Sequence, residues 1–415
     1  MPPPKFENPV KPLQWRVECL GHSLVEGLVS LLPGPWVFRF GEALGGLVWH
    51  FMPLRRKIIL RNLRIAFAGE KPLPELRRMA KATFRRTSGN LMSAAHTARL
   101  APDQLAAVIQ IDNLELLEQS LKDNHGVVIL LAHMGNWEIL SRIVHFFPQP
   151  SHAGAFYRPL NNRLLDAHVL ARRQADGTRM FSKRDNPHLV AGFLRDHGIV
   201  GILSDQRVGI QGELVPFFGR LTRVSPLPSL LARRSKSAVL ALAVTTEEPG
   251  KWRAVFMPVA APATTAHCMA ALERAMKVDP VDVFWFQERW KVYIRHAETI
   301  REWLGPEAAG GGKPHRALLW LAGVPDGWCL PVAWTHPDVV YEAVLGPDQA
   351  LPAWLDQATR VHRVACAANP RALRQAIVSM DESAALPLDF ILTPAAPPAL
   401  VKAGRREAIP VVSAP

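Results

Sequence analysis

The sequence predicts an α/β protein: a mixed sheet covered by helices, with membrane-associated helices before it and a small Rossmann-like α/β unit after it. Three observations carry this. Short apolar runs alternate with helical segments from about residue 126 to 260. A Gly-rich stretch, "GPEAAGGGKPH" (305–315), is followed by a second alternation of the same kind. Val17 to Phe38 holds no Lys or Arg, and its apolar character resumes in "GEALGGLVWHFMPL". The resulting division is an N-terminal helical segment (1–54), a central domain (55–304), a linker (305–315) and a small terminal domain (316–415).

The N-terminal segment comes first. Glu18, Glu26 and Glu42 interrupt it, and Pro33 and Pro35 break it, so it is a poor spanning helix. Two short helices lying in or entering the membrane interface fit better. The cluster Arg55, Arg56, Lys57, Arg61 and Arg64 follows at once, where it could rest on anionic headgroups. Residues 55–120 read as helical, with apolar residues spaced at three and four in "LPELRRMAKATFRRTSGNLMSAAHTARL".

Strands and helices then alternate. "GVVILLA" (126–132) is a strand, "NWEILSRIVHFF" a helix closed by Pro148, and "SHAGAFY" a strand. "NRLLDAHVLARRQADG" is a helix ending at Gly177. A helix "HLVAGFLRDHG", a strand "IVGILSD" (199–205) and a helix "LPSLLARRSKS" follow. "AVLALAVTTE" and "WRAVFMPVA" are strands, and 266–290 is helical. Past the linker, "RALLWLAG", "PDVVYEAVLG", "RVACAAN", "PRALRQAIVSM", "LDFILTP", "PPALVKAG" and "IPVVSAP" read as short strands alternating with helices. That unit has no G-x-G-x-x-G and no phosphate-binding glycine loop, so no activity is assigned to it.

Composition narrows the partners. The chain has 415 residues, 48% hydrophobic and 20% charged, enough for a sizeable core and two domains. The net charge is +13, and from Gly311 onward nine cationic and nine acidic residues cancel. The excess therefore lies in the first 310 residues, which should meet something anionic. No zinc-finger spacing, RNA-binding aromatic motif or basic zipper is present, which leaves a membrane surface rather than nucleic acid. Four scattered cysteines suggest neither a disulfide framework nor a zinc site, and no cleavable signal peptide is evident.

Chemistry is concentrated at "HMGNWE". His133 stands just past the carboxyl end of a buried strand, the edge where open α/β sheets bind ligands. Met134-Gly135-Asn136 forms a turn in which glycine permits tight geometry. Glu138 falls in the first helical turn, close enough to reach back to the imidazole, orient it and stabilise its charged form. No G-x-S-x-G elbow or H-E-x-x-H motif accompanies the pair. The simplest reaction is direct: His133 takes a proton from an acceptor hydroxyl, which attacks an activated acyl group.

The same residues resemble the histidine–four residues–acid motif of the lysophospholipid acyltransferase superfamily. More narrowly, "HMGNWE" is similar to the lipid A biosynthesis acyltransferases, the lauroyl and myristoyl transferases. Four further blocks look similar in order: "RRKIILRNLRIAF" (55–67), "FYRPLNNRLLDAHVLARRQADG" (156–177), "SDQRVGIQGELVPFFGRLT" (204–222) and "FWFQERWK" (284–291). The resemblance covers about residues 15–300. Gln287-Glu288 stand where the family usually carries His-Arg, which removes positive charge there.

The resemblance implies roles. His133 would be the base and Glu138 its orienting acid. Arg158 and Asp205 would bind substrate near them, with Asn136 of the motif grouped alongside. Arg158 offers a bidentate clamp for phosphate, and Asp205 could orient Arg158 or bond a sugar hydroxyl. The implied reaction is O-acylation of a lipid A precursor or related glycolipid. The donor would be a thioester on acyl carrier protein or CoA, and the place the cytoplasmic face of a bacterial inner membrane. Neither a cofactor nor a metal is expected. The alternatives are a lysophospholipid or other glycolipid acyltransferase of the same superfamily, or a catalytically inactive membrane adaptor.

Overall fold

The computed structural model describes residues 10–123, 126–147, 152–182, 185–209, 211–290, 299–304, 312–325, 327–365 and 369–413. Residues 305–311, most of the expected linker, lie outside these. Four helices lead the chain: α1 (Val10–Ser30), α2 (Gly34–Val48), α3 (Pro53–Ala66) and α4 (Leu73–Thr97). The strands are β1 (Ile109–Asp112), β2 (Val127–Leu131), β3 (His152–Tyr157), β4 (Arg179–Ser182), β5 (Gly198–Leu203), β6 (Glu213–Phe217), β7 (Arg220–Val224), β8 (Ala238–Glu248) and β9 (Lys251–Pro258). Five more follow: β10 (His315–Trp320), β11 (Val339–Leu345), β12 (Val361–Arg363), β13 (Phe390–Thr393) and β14 (Val411–Ser413).

The chain divides into two compact units that cross the sequence-based boundaries. The first comprises Met1–Val48, Ala82–Asp205 and Ser225–Phe284. The second comprises Trp49–Lys81, Gln206–Val224 and Trp285–Pro415.

The first unit is built on a seven-stranded sheet of order β1-β9-β8-β2-β5-β3-β4. β8 and β9 pair antiparallel and the other neighbours pair parallel, so the sheet is mixed. All five residues of β2 are buried, as a central strand covered on both faces requires. Helix ends are fixed locally. The Asn162 side-chain oxygen accepts from Leu164 N–H and Leu165 N–H, starting the helix Arg163–Arg173, and Asn186 does the same for Pro187–Arg195. Such caps contribute about 1 kcal/mol each.

α1 and α2 leave apolar faces uncovered. Leu13, Val17, Leu20, Leu24 and Leu28 recur at three and four along α1, with Leu31 just past its end, and every one is exposed. Trp36, Phe40, Leu44 and Leu47 do the same along α2. Among the described residues no helix is long and apolar enough to cross a membrane.

The second unit holds a five-stranded parallel sheet of order β12-β11-β10-β13-β14, and the hairpin β6–β7. Alternate residues of β10 feed two cores. Ala317 and Leu319 pack with Trp334, Phe390 and Ile300 on one side. Leu318 and Trp320 pack with Leu373, Ile377 and Leu400 on the other. Strands and helices alternate only from β12 onward; β10, β11 and β12 follow one another with no α-helix between them among the described residues.

Three cations of the basic block in α3, Lys57, Arg61 and Arg64, are engaged inside this unit, while Arg55 is exposed. Arg61 pairs with Asp389 at 2.6 Å and Lys57 with Glu407 at 2.6 Å, while Arg64 pairs with Asp381. Arg220 of the hairpin, fully buried, reaches the same Asp389 at 3.1 Å. Lys313 donates to the carbonyls of Ile65 and Ala66 at 2.9 and 2.8 Å, closing α3. Burial alone would raise the Asp389 pKa, but Arg220, His315 and Arg61 outweigh it and hold the carboxyl well below the usual range.

Other expectations differ from the structure in detail. Residues 55–120 are not helical throughout, because β1 adds an edge strand beside β9. The segment read as a helix from Asn136 is two short 3-10 turns, Trp137–Ser141 and Ile143–Phe146. The helix before residue 290 ends at Val278. β1, β4 and the β6–β7 hairpin are too short or too polar on one face to stand out by periodicity.

Candidate active site

The site lies at the carboxyl ends of three neighbouring parallel strands of the first unit: β2, β5 and β3. β2 delivers His133 two residues past its end. β5 delivers Asp205 after Ser204, whose N–H donates to Leu131 O at 2.9 Å and carries the pairing one step further. β3 delivers Arg158, exposed, immediately after Tyr157.

Asp205 grips His133 at two points. Its Oδ1 lies 2.7 Å from His133 Nδ1, and its Oδ2 accepts the His133 backbone N–H at 3.2 Å. The Asp205 side chain is 0% exposed and that of His133 13%. A carboxylate in this position keeps the proton on Nδ1 and the lone pair on Nε2, and stabilises the imidazolium formed when Nε2 accepts a proton. Trp137 meets the imidazole edge-on, with centroids 5.3 Å apart, and Phe284 lies 6.2 Å away.

Glu138 is placed differently from the sequence expectation. Its carboxylate does not take the imidazole; Arg173 holds it by two hydrogen bonds, from Nε at 2.9 Å and Nη2 at 2.6 Å. The 3-10 turn that starts at Trp137 carries Glu138 towards the helix Arg163–Arg173, whereas Asp205 arrives beside His133 along β5. Burial disfavours the Arg173 charge, but the hydrogen bonds and charge of Glu138, with Asp166 beyond, raise its pKa. Asn136 is 1% exposed and donates to Thr97 Oγ1 at 3.1 Å, so it serves the interior of the turn. Asp205 bonds His133, and among the described residues no hydrogen bond or ion pair joins it to Arg158.

The turn is held from behind. Gly135 adopts φ +55°, and a Cβ there would lie 2.4 Å from Val244 O, so the backbone approach demands glycine. Its N–H donates to Asp282 O at 3.0 Å, and Phe284 N–H donates to His133 O at 2.7 Å. The Asp282 carboxylate accepts from Asn90 Nδ2 at 3.0 Å, Thr246 Oγ1 at 2.7 Å and Thr246 N–H at 2.6 Å. Arg86 stands 3.4 Å away. Burial nevertheless dominates, and the Asp282 pKa is pushed up to about 6.

A cavity of about 260 Å³ opens beside Glu138 and Arg173. Leu91, Ala94, Leu160 and Val169 give it apolar wall, and His22 and Arg172 give it charge-bearing wall.

The remaining family-like blocks meet in the second unit as packing. Phe217 and Phe218 are buried against Trp290 and Trp285, and Phe67 joins them. Asn62 Nδ2 donates to Trp285 O at 2.8 Å and to Gln287 O at 2.6 Å. Gln287 therefore contributes its backbone here.

Sequence reading passed over the Asp205–His133 pair and the supporting role of Asp282. A signal for the first was present: "VVILLAH" and "GIVGILSD" are both apolar strands ending in a titratable residue, and neighbouring parallel strands bring such ends together. Asp282 carried no comparable signal.

The first unit thus carries a carboxylate-held histidine at the carboxyl edge of a mixed sheet. The chain belongs to the bacterial lipid A biosynthesis acyltransferase family, whose model matches residues 5–292, and it is an acyltransferase. It is 26% identical over 299 residues to the lipid A biosynthesis lauroyltransferase of Escherichia coli (strain K12), covering 69% of this chain and 95% of that protein. The matched region stops short of β10–β14.

Proposed function

We propose that this acyltransferase moves a fatty acyl group from the thioester of an acyl carrier protein to a hydroxyl of a lipid A-type glycolipid, with His133 as general base. The supporting observation is the two-point hold of Asp205 on His133 at a sheet edge shared with Arg158. His133 Nε2 accepts the acceptor's hydroxyl proton as its oxygen attacks the thioester carbonyl. The tetrahedral intermediate collapses, the ester forms, and the C–S bond breaks. The leaving thiolate takes the proton back from the imidazolium, so base and protons are restored. Asp205 stabilises the imidazolium between the two transfers. Arg158 is exposed at the same edge and can pair with a phosphate of the acceptor or of the donor's pantetheine arm.

The exposed apolar faces of α1 and α2 support work at a membrane interface, since such stripes are costly in water. A thioester donor on a carrier protein assigns the reaction to the cytoplasmic face of the inner membrane. The excess positive charge before residue 311 favours an acidic carrier.

The deciding experiment incubates the purified protein with acyl carrier protein thioester and a lipid A precursor, following free thiol and the mass of the lipid. Thiol release coupled to one acyl mass on the lipid supports the proposal. Thioester loss without lipid gain, or gain only on a lysophospholipid, overturns the acceptor assignment.

A further inference from the structure

A second cluster lies in the same unit, apart from the His133 edge. His22 and Glu26 are four residues apart on α1 and so share a helix face. His168 faces them from the helix Arg163–Arg173. His22 Nδ1 lies 3.5 Å from Glu26 Oε1, and His168 Nε2 lies 3.0 Å from Glu26 Oε2. One ligand atom from each of the three residues falls within 4.8 Å of the others. Glu26 is 2% exposed, an unusual depth for a carboxylate on a helix whose opposite side faces solvent. His22 Nδ1 is buried and has no hydrogen-bond partner. A buried ring nitrogen left unsatisfied costs free energy unless something binds it.

We propose that His22, Glu26 and His168 form a zinc-type metal site that fastens α1 to the helix carrying Arg173. Two imidazoles and one carboxylate are the donor set that suits Zn²⁺ and related first-row ions, whereas Ca²⁺ and Mg²⁺ take oxygen ligands. Two ligands at i and i+4 on one helix with a third from a neighbouring helix form one side of a tetrahedron. Bonds of about 2.0–2.1 Å place neighbouring ligand atoms roughly 3.3 Å apart. His22 Nδ1 and His168 Nε2 stand 3.5 and 3.0 Å from the two different oxygens of Glu26, so closing the set draws both rings towards one ion beside the carboxylate. Their side chains are 36% and 31% exposed, which leaves them free to turn and gives an ion a route from solvent.

Arg172 is the internal competitor, because its guanidinium also pairs with Glu26. The cavity of about 260 Å³ is lined by His22, Glu26 and Arg172 together. It has room for a displaced guanidinium and for a water as fourth ligand. Exchange of Arg172 for a dication keeps the buried carboxylate compensated. The site thus joins the interfacial helix to the element whose next residue, Arg173, holds Glu138.

The test titrates the untagged full-length protein, stripped of metal in detergent, with Co²⁺, which absorbs visibly in tetrahedral N/O sites. One saturable equivalent displaced by Zn²⁺ is expected, together with a Zn²⁺-dependent rise in Tm. His22→Ala and His168→Ala should abolish the absorption, and Glu26→Gln should weaken binding about tenfold or more. Arg172→Gln should bind more tightly than the wild type, a gain that a merely folded or misfolded variant does not mimic. The proposal is overturned if the wild type shows neither saturable absorption nor a Tm response. It is equally overturned if both histidine variants bind as the wild type does, or if Arg172→Gln leaves Co²⁺ affinity unchanged.

Discussion

Asp205 and His133, 72 positions apart in sequence, meet at 2.7 Å, while Glu138, five positions from His133, turns to Arg173. The carboxylate that holds the imidazole thus arrives on a neighbouring strand. His133→Ala should lower kcat by about 10²–10⁴-fold. Asp205→Asn should fall in the same range, because an amide loses both the tautomer preference and the charge beneath the imidazolium. Steady-state thiol release by the two variants checks this. Near-normal turnover by Asp205→Asn would remove Asp205 from the mechanism.

Glu138 and Arg173 should behave as one unit. Glu138→Gln and Arg173→Gln each break a half-buried, doubly hydrogen-bonded pair, and the double variant should be little worse than either single one. A double-mutant cycle on kcat/KM measures the coupling. Strict additivity would show that Glu138 acts through something other than Arg173.

Asp282 gives the protein an acid-side stability signature. Its pKa rises from 3.8 to about 6 on folding, chiefly through burial, so the native state binds the proton more tightly than the unfolded chain does. Its contribution to stability therefore grows as pH falls from 7 through 6 towards 4, by an amount on the order of 2–3 kcal/mol. Above pH 6 the charged form is retained and the gain is absent. Unfolding curves at pH 7 and pH 5 should show the wild type gaining more than Asp282→Asn, which cannot titrate. Parallel pH profiles for the two proteins would refute this.

Asp389 anchors the second unit. Asp389→Ala would leave Arg61 and fully buried Arg220 without their shared carboxylate, a loss of roughly 3–5 kcal/mol for a broken buried pair. A chain ending at Gly305 removes Asp381, Asp389 and Glu407 at once. It should lose its cooperative melt, although the candidate catalytic residues all precede the cut. Scanning calorimetry of the truncated and full chains decides it. A truncated protein melting as the full chain does would show that α3 and the hairpin fold without β10–β14.

The α1 face should carry membrane binding. Leu20→Glu with Leu24→Glu places two charges on exposed positions, so folding should be unaffected, while recovery on sedimenting lipid vesicles should drop severalfold. Reversing Arg61 and Arg64 should act through stability, because both are engaged within the protein. Unchanged vesicle binding by the α1 variant would leave the apolar face without a membrane role.

The chain's short motifs were enough to locate its family and the histidine at the sheet's carboxyl edge. Apolar runs of strand length, turn residues after them and the H-x-x-x-x-E spacing are short-range features, and they placed His133 correctly at the end of β2. Past the Gly-rich stretch the helix Pro370–Glu382 also formed where it was read, because Asn369 caps its start and its apolar positions have a helical period. What the sequence could not decide was pairing at long range. A carboxylate five residues away and one 72 residues away are equally plausible partners until the sheet order puts β5 beside β2. The same holds for Lys57, Arg61 and Arg64 of α3, which read as part of a membrane-facing cluster until the fold set Glu407, Asp389 and Asp381 opposite them. Charge is legible locally, but its partner is chosen by tertiary packing, which must compensate every charge it buries.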